Sequence, residues 1–415
     1  MSQREQETDL ERAIARAFAR GRYSRRAFLG RTGRGLLVAG SALSLPSILA
    51  ACGIGPQASP TPGATNGNGN GGTGTLDWAN WPFYIDQDED TGESDTINQF
   101  EEETGISVNY REVIEDNESF FGTIQPSLAA GQSAGWDMIT PTDYMCQRLI
   151  RLGYLQELDW SQLPNVEANI DEVYRGRPLD PNNQYLVPWQ SGFTGIGYNI
   201  ELTGREITSM DDLWNPEFEG RIGMFREMRD TFNFALLRNG VNPTEATFED
   251  AGRAAESLLE QAPLVRNYYG NEYTDGLANG DVALTMAWSG DVYQLQLDNP
   301  NLRFVIPDEG GNLWVDNLCI PTGAANPEAA HQMMNFVYQP EIMAQISSYV
   351  QFISPVPAAR DVLAESDDEE EQALAESELI FPSEATLDRV YGYPDLSDEA
   401  EEARWLELFQ GVVQG

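Results

Sequence analysis

The sequence contains no lysine; all 25 basic residues are arginine. It has one histidine, His331, and three cysteines, Cys52, Cys146 and Cys319, in 415 residues. One histidine excludes a histidine-rich metal cluster. Three thiols exclude a disulfide-dense scaffold, and nothing in their spacing requires a pair. Positive charge is scarce altogether: 25 basic residues face 66 acidic ones, a net of −41. Nine arginines and four acids fall in residues 1–51, a net of +5. The remainder therefore carries 16 arginines and 62 acids, a net of −46. A field of that sign repels nucleic acid and anionic lipid headgroups and attracts cationic solutes. The same charge is also what a highly solvated, salt-adapted surface carries, and the two readings are compatible.

What is present first is an address. SRRAFL at 24–29 has the twin-arginine export pattern, with Arg25 and Arg26 as the pair. A weakly apolar stretch follows from 36 to 50, too poor in apolar residues for a comfortable membrane span. It ends in LAAC at 49–52, the bacterial lipobox, whose Cys52 takes a diacylglycerol. Residues 1–51 thus read as a lipoprotein signal peptide. Residues 52–75 read as a lipidated cysteine and a tether rich in Gly, Asn, Pro, Ser and Thr. The expected location is the extracytoplasmic face of a membrane, reached by export and held through the anchor. Cys146 and Cys319 are expected as small buried residues. Folding before export, in a reducing cytoplasm, gives a disulfide little chance to form.

With 41% hydrophobic residues the rest is globular, and its length calls for two domains. Strand patterns at 75–84, 106–110 and 136–140 alternate with helical patterns at 95–104, 120–130 and 144–151. This is a parallel-rich α/β domain. An apolar, glycine-spaced run at 193–199 reads as a strand leaving it. A second α/β pattern spans about 207–309, with helices at 230–239 and 248–261 and a strand at 282–288. A strand at 314–321, helices at 327–338 and 340–349, and a last helix at 398–413 follow. His331 is expected on the surface of its helix, and the acidic run 365–378 in a solvated helix or loop. Trp78, Trp189 and Trp214 are core or packing candidates.

At this point the chain resembles the spermidine/putrescine-binding proteins of bacterial ABC transporters. The segments that carry the resemblance are NWPFY at 80–84, FEEETGI at 100–106, PTDY at 141–144 and TSMDDLWNPEFEG at 208–220. LANGDVA at 277–283, WSGD at 288–291, PDEGGNLWVD at 307–316 and SPVPAAR at 354–360 continue it. The resemblance implies a two-lobed, type II periplasmic-binding-protein-like fold with a hinged cleft. Lobe I would comprise 75–193 and 315–360, and lobe II 194–314 and 361–415. It implies no enzymatic activity, no cofactor and no metal. The implied partners are a polyamine, the permease subunits of an ABC transporter, and the membrane through Cys52; nucleic acid is not among them.

A polyamine site needs carboxylates at intervals and aromatic faces over the methylenes. The resemblance carries the aromatic role onto Trp81, Tyr84, Tyr144, Trp288 and Trp314. The acid role falls on Glu227, Asp230, Asp291 and Asp316, hydroxyl bonding on Thr142, and Phe352 stands where a tyrosine is common. Phe83 stands where spermidine binders often carry an acid. Asp291 resembles the putrescine-preferring type and Trp314 the spermidine-preferring type. The residues themselves suit the task. Glu227 and Asp230 sit near a helix start, three apart, so both face one way and also suit capping. Trp288 with Asp291 and Trp314 with Asp316 each set an indole beside an acid at a strand end. Three alternatives stay open: another organic cation or an amino acid as cargo, an exported glycoside hydrolase built on an acid pair, and a surface adhesin.

Overall fold

The computed structural model describes residues 74–88, 91–396 and 398–414. The twin-arginine pair Arg25 and Arg26, the lipobox with Cys52, and the tether lie outside the described residues. The strands are β1 (Thr75–Asn80), β2 (Ser107–Glu112), β3 (Met138–Ile139), β4 (Val187–Asn199) and β5 (Ile222–Phe225). They continue as β6 (Val265–Tyr269), β7 (Leu284–Trp288), β8 (Leu302–Val305), β9 (Gly311–Leu318) and β10 (Val390–Tyr391). The longer helices are α1 (Asp95–Thr104), α2 (Asn117–Ala129), α3 (Asp143–Arg151), α4 (Met228–Arg238) and α5 (Phe248–Gln261). They continue as α6 (Ser289–Asp298), α7 (Pro327–Val337), α8 (Pro340–Val350) and α9 (Glu399–Gln414).

Local chemistry sets the ends of these elements. Ser94 caps α1 by accepting from the Ile97 amide at 3.1 Å, and Gly105, at φ 71°, stops it in a left-handed conformation. Thr247 and Asp250 form a reciprocal capping box on α5. Glu227 caps α4 by accepting from the Asp230 amide at 2.8 Å.

Two sheets result. The first is parallel, in the order β2-β1-β3. The second runs β10-β9-β4-β7-β5-β6, with β8 also on β4. Strand β4 is buried along all 13 residues. Its early half pairs with β9, from Val187 opposite Leu318 to Thr194 opposite Asn312. Its later half pairs with β7 and β8. Isolated bridges at Ile139–Cys319, Thr142–Asp316 and Ser191–Ile353 tie the β4–β9 pair to the first sheet and its neighbours.

Three apolar cores follow. One holds Leu76, Trp78, Phe100, Trp189 and Met343; a smaller one, with Phe120, Ile124 and Leu149, flanks it. The other large core holds Ile196, Phe225, Phe232, Leu284 and Trp405. Strand β4 contributes Trp189 to the first and Ile196 to this one, so it crosses between them. Trp78 and Trp189 meet edge-on at 5.3 Å, both fully buried; truncating either to alanine removes about 3–5 kcal/mol. Leu363, Leu374 and Ile380 pack in the first core, and Phe409 and Val412 in the second. The chain's return to the second core thus falls beyond Ile380 rather than at residue 361.

His331 corrects an expectation. It is buried, not on the surface. Its Nε2 accepts from the Asp159 amide at 2.9 Å and its Nδ1 lies 2.7 Å from the Pro327 carbonyl. Cys146 and Cys319 are buried and free. No helix among the described residues is long and apolar enough to cross a membrane.

Candidate functional site

Strand β9 forms a central platform. Alternation puts Asn312, Trp314 and Asp316 on one face. Opposite them in register, β4 places Thr194, Gly192 and Gln190. The pair also sits where the two large cores meet, so this platform lies between lobes. Trp314 and Asp316 lie inside β9, not at a strand end as expected; Trp288 does end β7.

Asp316 is the best-defined group. It is 6% exposed. Thr142 donates to one carboxylate oxygen at 2.6 Å and the Tyr84 hydroxyl to the other at 2.7 Å. Asn117 holds Thr142 in turn, through its amide donor at 2.9 Å and its carbonyl at 3.1 Å. Loss of water around the carboxyl pushes its pKa up to about 7, against the pull of the two hydroxyl bonds.

Aromatic rings wall this acid. Gly192 lets the Trp314 indole lie against the backbone; a methyl there would stand 2.3 Å from Cζ2. Phe352 meets Trp314 edge-on at 5.1 Å and Tyr84 at 6.0 Å. Phe352 also packs on Gly290 at the start of α6, where an added methyl would stand 2.6 Å from its ring.

A second acidic group lies at the other end of the platform. Asp230 is 3% exposed and accepts from Thr194 at 2.8 Å and from the Asn312 amide at 2.6 Å. Asn312 and Asp316 are four residues apart on β9, so the two acidic centres stand roughly 13 Å apart at the usual strand rise, with Trp314 between. Desolvation raises the Asp230 pKa. It also raises that of half-buried Glu227, and the neighbouring Asp230 charge adds to it. The Tyr393 hydroxyl reaches Asp230 at 3.3 Å, and its ring meets Tyr144 edge-on at 5.9 Å. Burial raises the Tyr393 pKa, and Asp230, Glu227, Tyr144 and Asp316 all raise it further.

The third group is Trp288 with Asp291 in the first turn of α6. Tyr273 donates to Asp291 at 2.7 Å and accepts from the Trp288 amide at 3.0 Å. Phe225 and Tyr273 flank the Trp288 ring at 4.7 and 5.7 Å. Trp81 follows β1 and its indole donates to the Thr140 carbonyl at 2.8 Å; its ring packs against the clusters that hold Tyr84, Trp314 and Tyr144.

Sequence reasoning did not name Tyr393, Asn312, Thr194, Asn117 or Tyr273. Each acts as partner to a chosen acid or hydroxyl, and only the fold supplies the pairing. The face alternation of Asn312 with Trp314 and Asp316 is the one signal that pointed to any of them.

Among the described residues, no arginine forms an ion pair with Asp316, Asp230 or Glu227; the partners of the first two are hydroxyls and amides. Nor does any group of three or more His, Cys, Asp and Glu side chains suit a metal ion among those residues. Desolvated carboxyls separated by aromatic faces are an environment for organic ammonium groups.

Residues 95–375 match the family described as bacterial extracellular solute-binding protein. Spermidine/putrescine-binding periplasmic protein 1 of Haemophilus influenzae is 30% identical over 303 residues, 73% of this chain and 81% of the relative. Putrescine-binding periplasmic protein SpuD of Pseudomonas aeruginosa is 30% identical over 353 residues, 80% and 91% of the two chains. Among solved structures, the spermidine/putrescine ABC transporter substrate-binding protein PotD of Streptococcus pneumoniae superposes with a TM-score of 0.70 at 27% identity. That match covers 82% of this chain and 99% of the other. The α/β body has the two-lobed periplasmic-binding-protein fold, and the chain belongs to the bacterial extracellular solute-binding protein family.

Proposed function

We propose that this protein captures a polyamine between its lobes and delivers it to the permease of an ABC transporter, without catalysing a reaction. The observation that carries this reading is the set of buried acids, Asp316 and Asp230, held by neutral donors at opposite ends of a platform whose middle is Trp314. Burying a carboxylate away from any cation costs several kcal/mol, and an ammonium offsets that cost. The indole between them covers methylenes and attracts the flanking charges. An α-amino acid fits less well, since its carboxylate would meet these acids with no arginine among their partners. The names of the relatives support the cargo, and the acidic body supports attraction of a polycation.

The N-terminal motifs support export and anchoring: Arg25 and Arg26 as the twin-arginine signal, Cys52 as the lipidated residue. In this reading the body works on the extracytoplasmic face of a membrane, tethered by residues 53–75. Titration calorimetry with spermidine, putrescine, glutamate and a neutral disaccharide tests the cargo. Binding of the polyamines alone is expected. Tight binding of glutamate or the sugar, with no heat from either polyamine, would overturn the reading.

A further inference from the structure

Away from the acids of the site, the lobes meet at a partly buried ion cluster centred on Glu402. Helices α9 and α4, which carry Glu402 and Arg229, pack together in the second core through Trp405, Phe409 and Phe232. Helix α3, which carries Arg148 and Arg151, packs in the first lobe through Met145, Cys146 and Leu149. Arg148 reaches Glu402 at 2.7 Å across the divide and Arg151 faces it at 3.9 Å. Arg229 pairs with the same carboxylate from its own lobe. Glu402 is only 12% exposed and Arg229 3%.

The convergence is notable in a chain this poor in positive charge. Three of the 16 arginines after residue 51 meet at one carboxylate, in a body with 62 acids. The same face of α3 makes two further bonds to the second-lobe segment: Gln147 to Asp395 at 2.9 Å and Arg151 to the Leu396 carbonyl at 3.4 Å. The cluster also touches the site. The Arg229 guanidinium lies 4.4 Å over the ring of Tyr144, which itself meets Tyr393 beside Asp230.

A hinge motion that parts the lobes must pull Arg148 and Arg151 off Glu402. It must also slide Tyr144 from under Arg229. We propose that Glu402 is the latch of the closed cleft: a positioning residue that touches no ligand and sets how long the cargo is held. The proposal rests on the reading that a polyamine binds between the lobes. Breaking one side of a buried charge pair acts mainly on dissociation, while association follows the long-range field.

Stopped-flow binding of spermidine to the parent and three variants tests this. Glu402→Gln is expected to speed release about tenfold or more with the association rate within about twofold. Because that change also strips Arg229 of its partner, Arg148→Gln is the second variant; it leaves the Glu402–Arg229 pair intact. It should speed release comparably, and the double variant should be little faster than either single one. Unchanged release in Arg148→Gln, or full additivity in the double variant, would overturn the latch while leaving the cargo assignment standing. Failure of the parent to bind spermidine would overturn the cargo reading and, with it, the latch as a retainer of that cargo.

Discussion

The indole of Trp314 lies against the backbone of Gly192, its register partner across the β4–β9 pair. No other residue type leaves that space, since an added methyl would stand 2.3 Å from the ring. The platform between the two acidic centres therefore depends on a side chain that is absent. Gly192→Ala should displace the indole and weaken spermidine binding by about tenfold, with a stability loss of about 1–3 kcal/mol. Intrinsic tryptophan fluorescence and calorimetry on this variant check it. Parent-like affinity would mean that the indole does not contact the ligand.

The buried acids make stability and binding depend on pH in opposite senses. Asp316 holds its proton up to about pH 7 in the folded protein and releases it near 3.8 when unfolded. Between those values the folded state binds the extra proton. This contribution to stability is complete below 3.8 and is lost as pH rises through 7. Asp230 and Glu227 are shifted the same way. Relative to Asp316→Asn, the parent should lose stability between pH 4 and 8, by on the order of a few kcal/mol. Polyamine affinity should instead rise from pH 6 to 8, because an ammonium pairs with the ionised carboxyl. Melting curves and calorimetry across that range check both slopes. A flat difference curve would place Asp316 in contact with water or a cation.

The N-terminal reading has its own test. Cys52→Ser should yield an exported protein that fractionates as soluble. The double change Arg25→Lys, Arg26→Lys should leave the protein inside the cell, since the export receptor reads paired guanidinium groups. Membrane fractionation of both variants decides, and normal anchoring in either would contradict the assignment.

Much of the fold was legible where capping and periodicity agree. Helices α1 and α5 were read at their observed limits from their apolar spacing, and in the structure Ser94, Gly105 and Thr247 close those ends. Strand β4 was read only from Phe193, although it starts at Val187. Pro188 argues against a strand interior, and the structure accommodates it at a register shift between Pro188 and Gln190. Strands β5, β8 and β10 have four, four and two residues, too few to show a period. In the site, Trp314 and Asp316 stood out because the family resemblance carried a role onto each, and strand alternation puts them on one face. Tyr393 did not: it lies in a loop, more than 160 residues from the Asp230 carboxyl it touches. His331 was misread because its helix buries the face that carries it, and one imidazole satisfies two backbone groups there.

The most direct measurement is spermidine calorimetry on Asp316→Asn. The substitution preserves shape and a side chain able to bond Thr142 and Tyr84, and it removes the charge. Losing an ammonium–carboxylate pair in a dry cleft costs about 2–5 kcal/mol. Affinity should then fall by a factor of roughly thirty to several thousand. A polyamine affinity equal to the parent's would contradict the account, because Asp316 would then be a structural acid and the platform would not be the binding site.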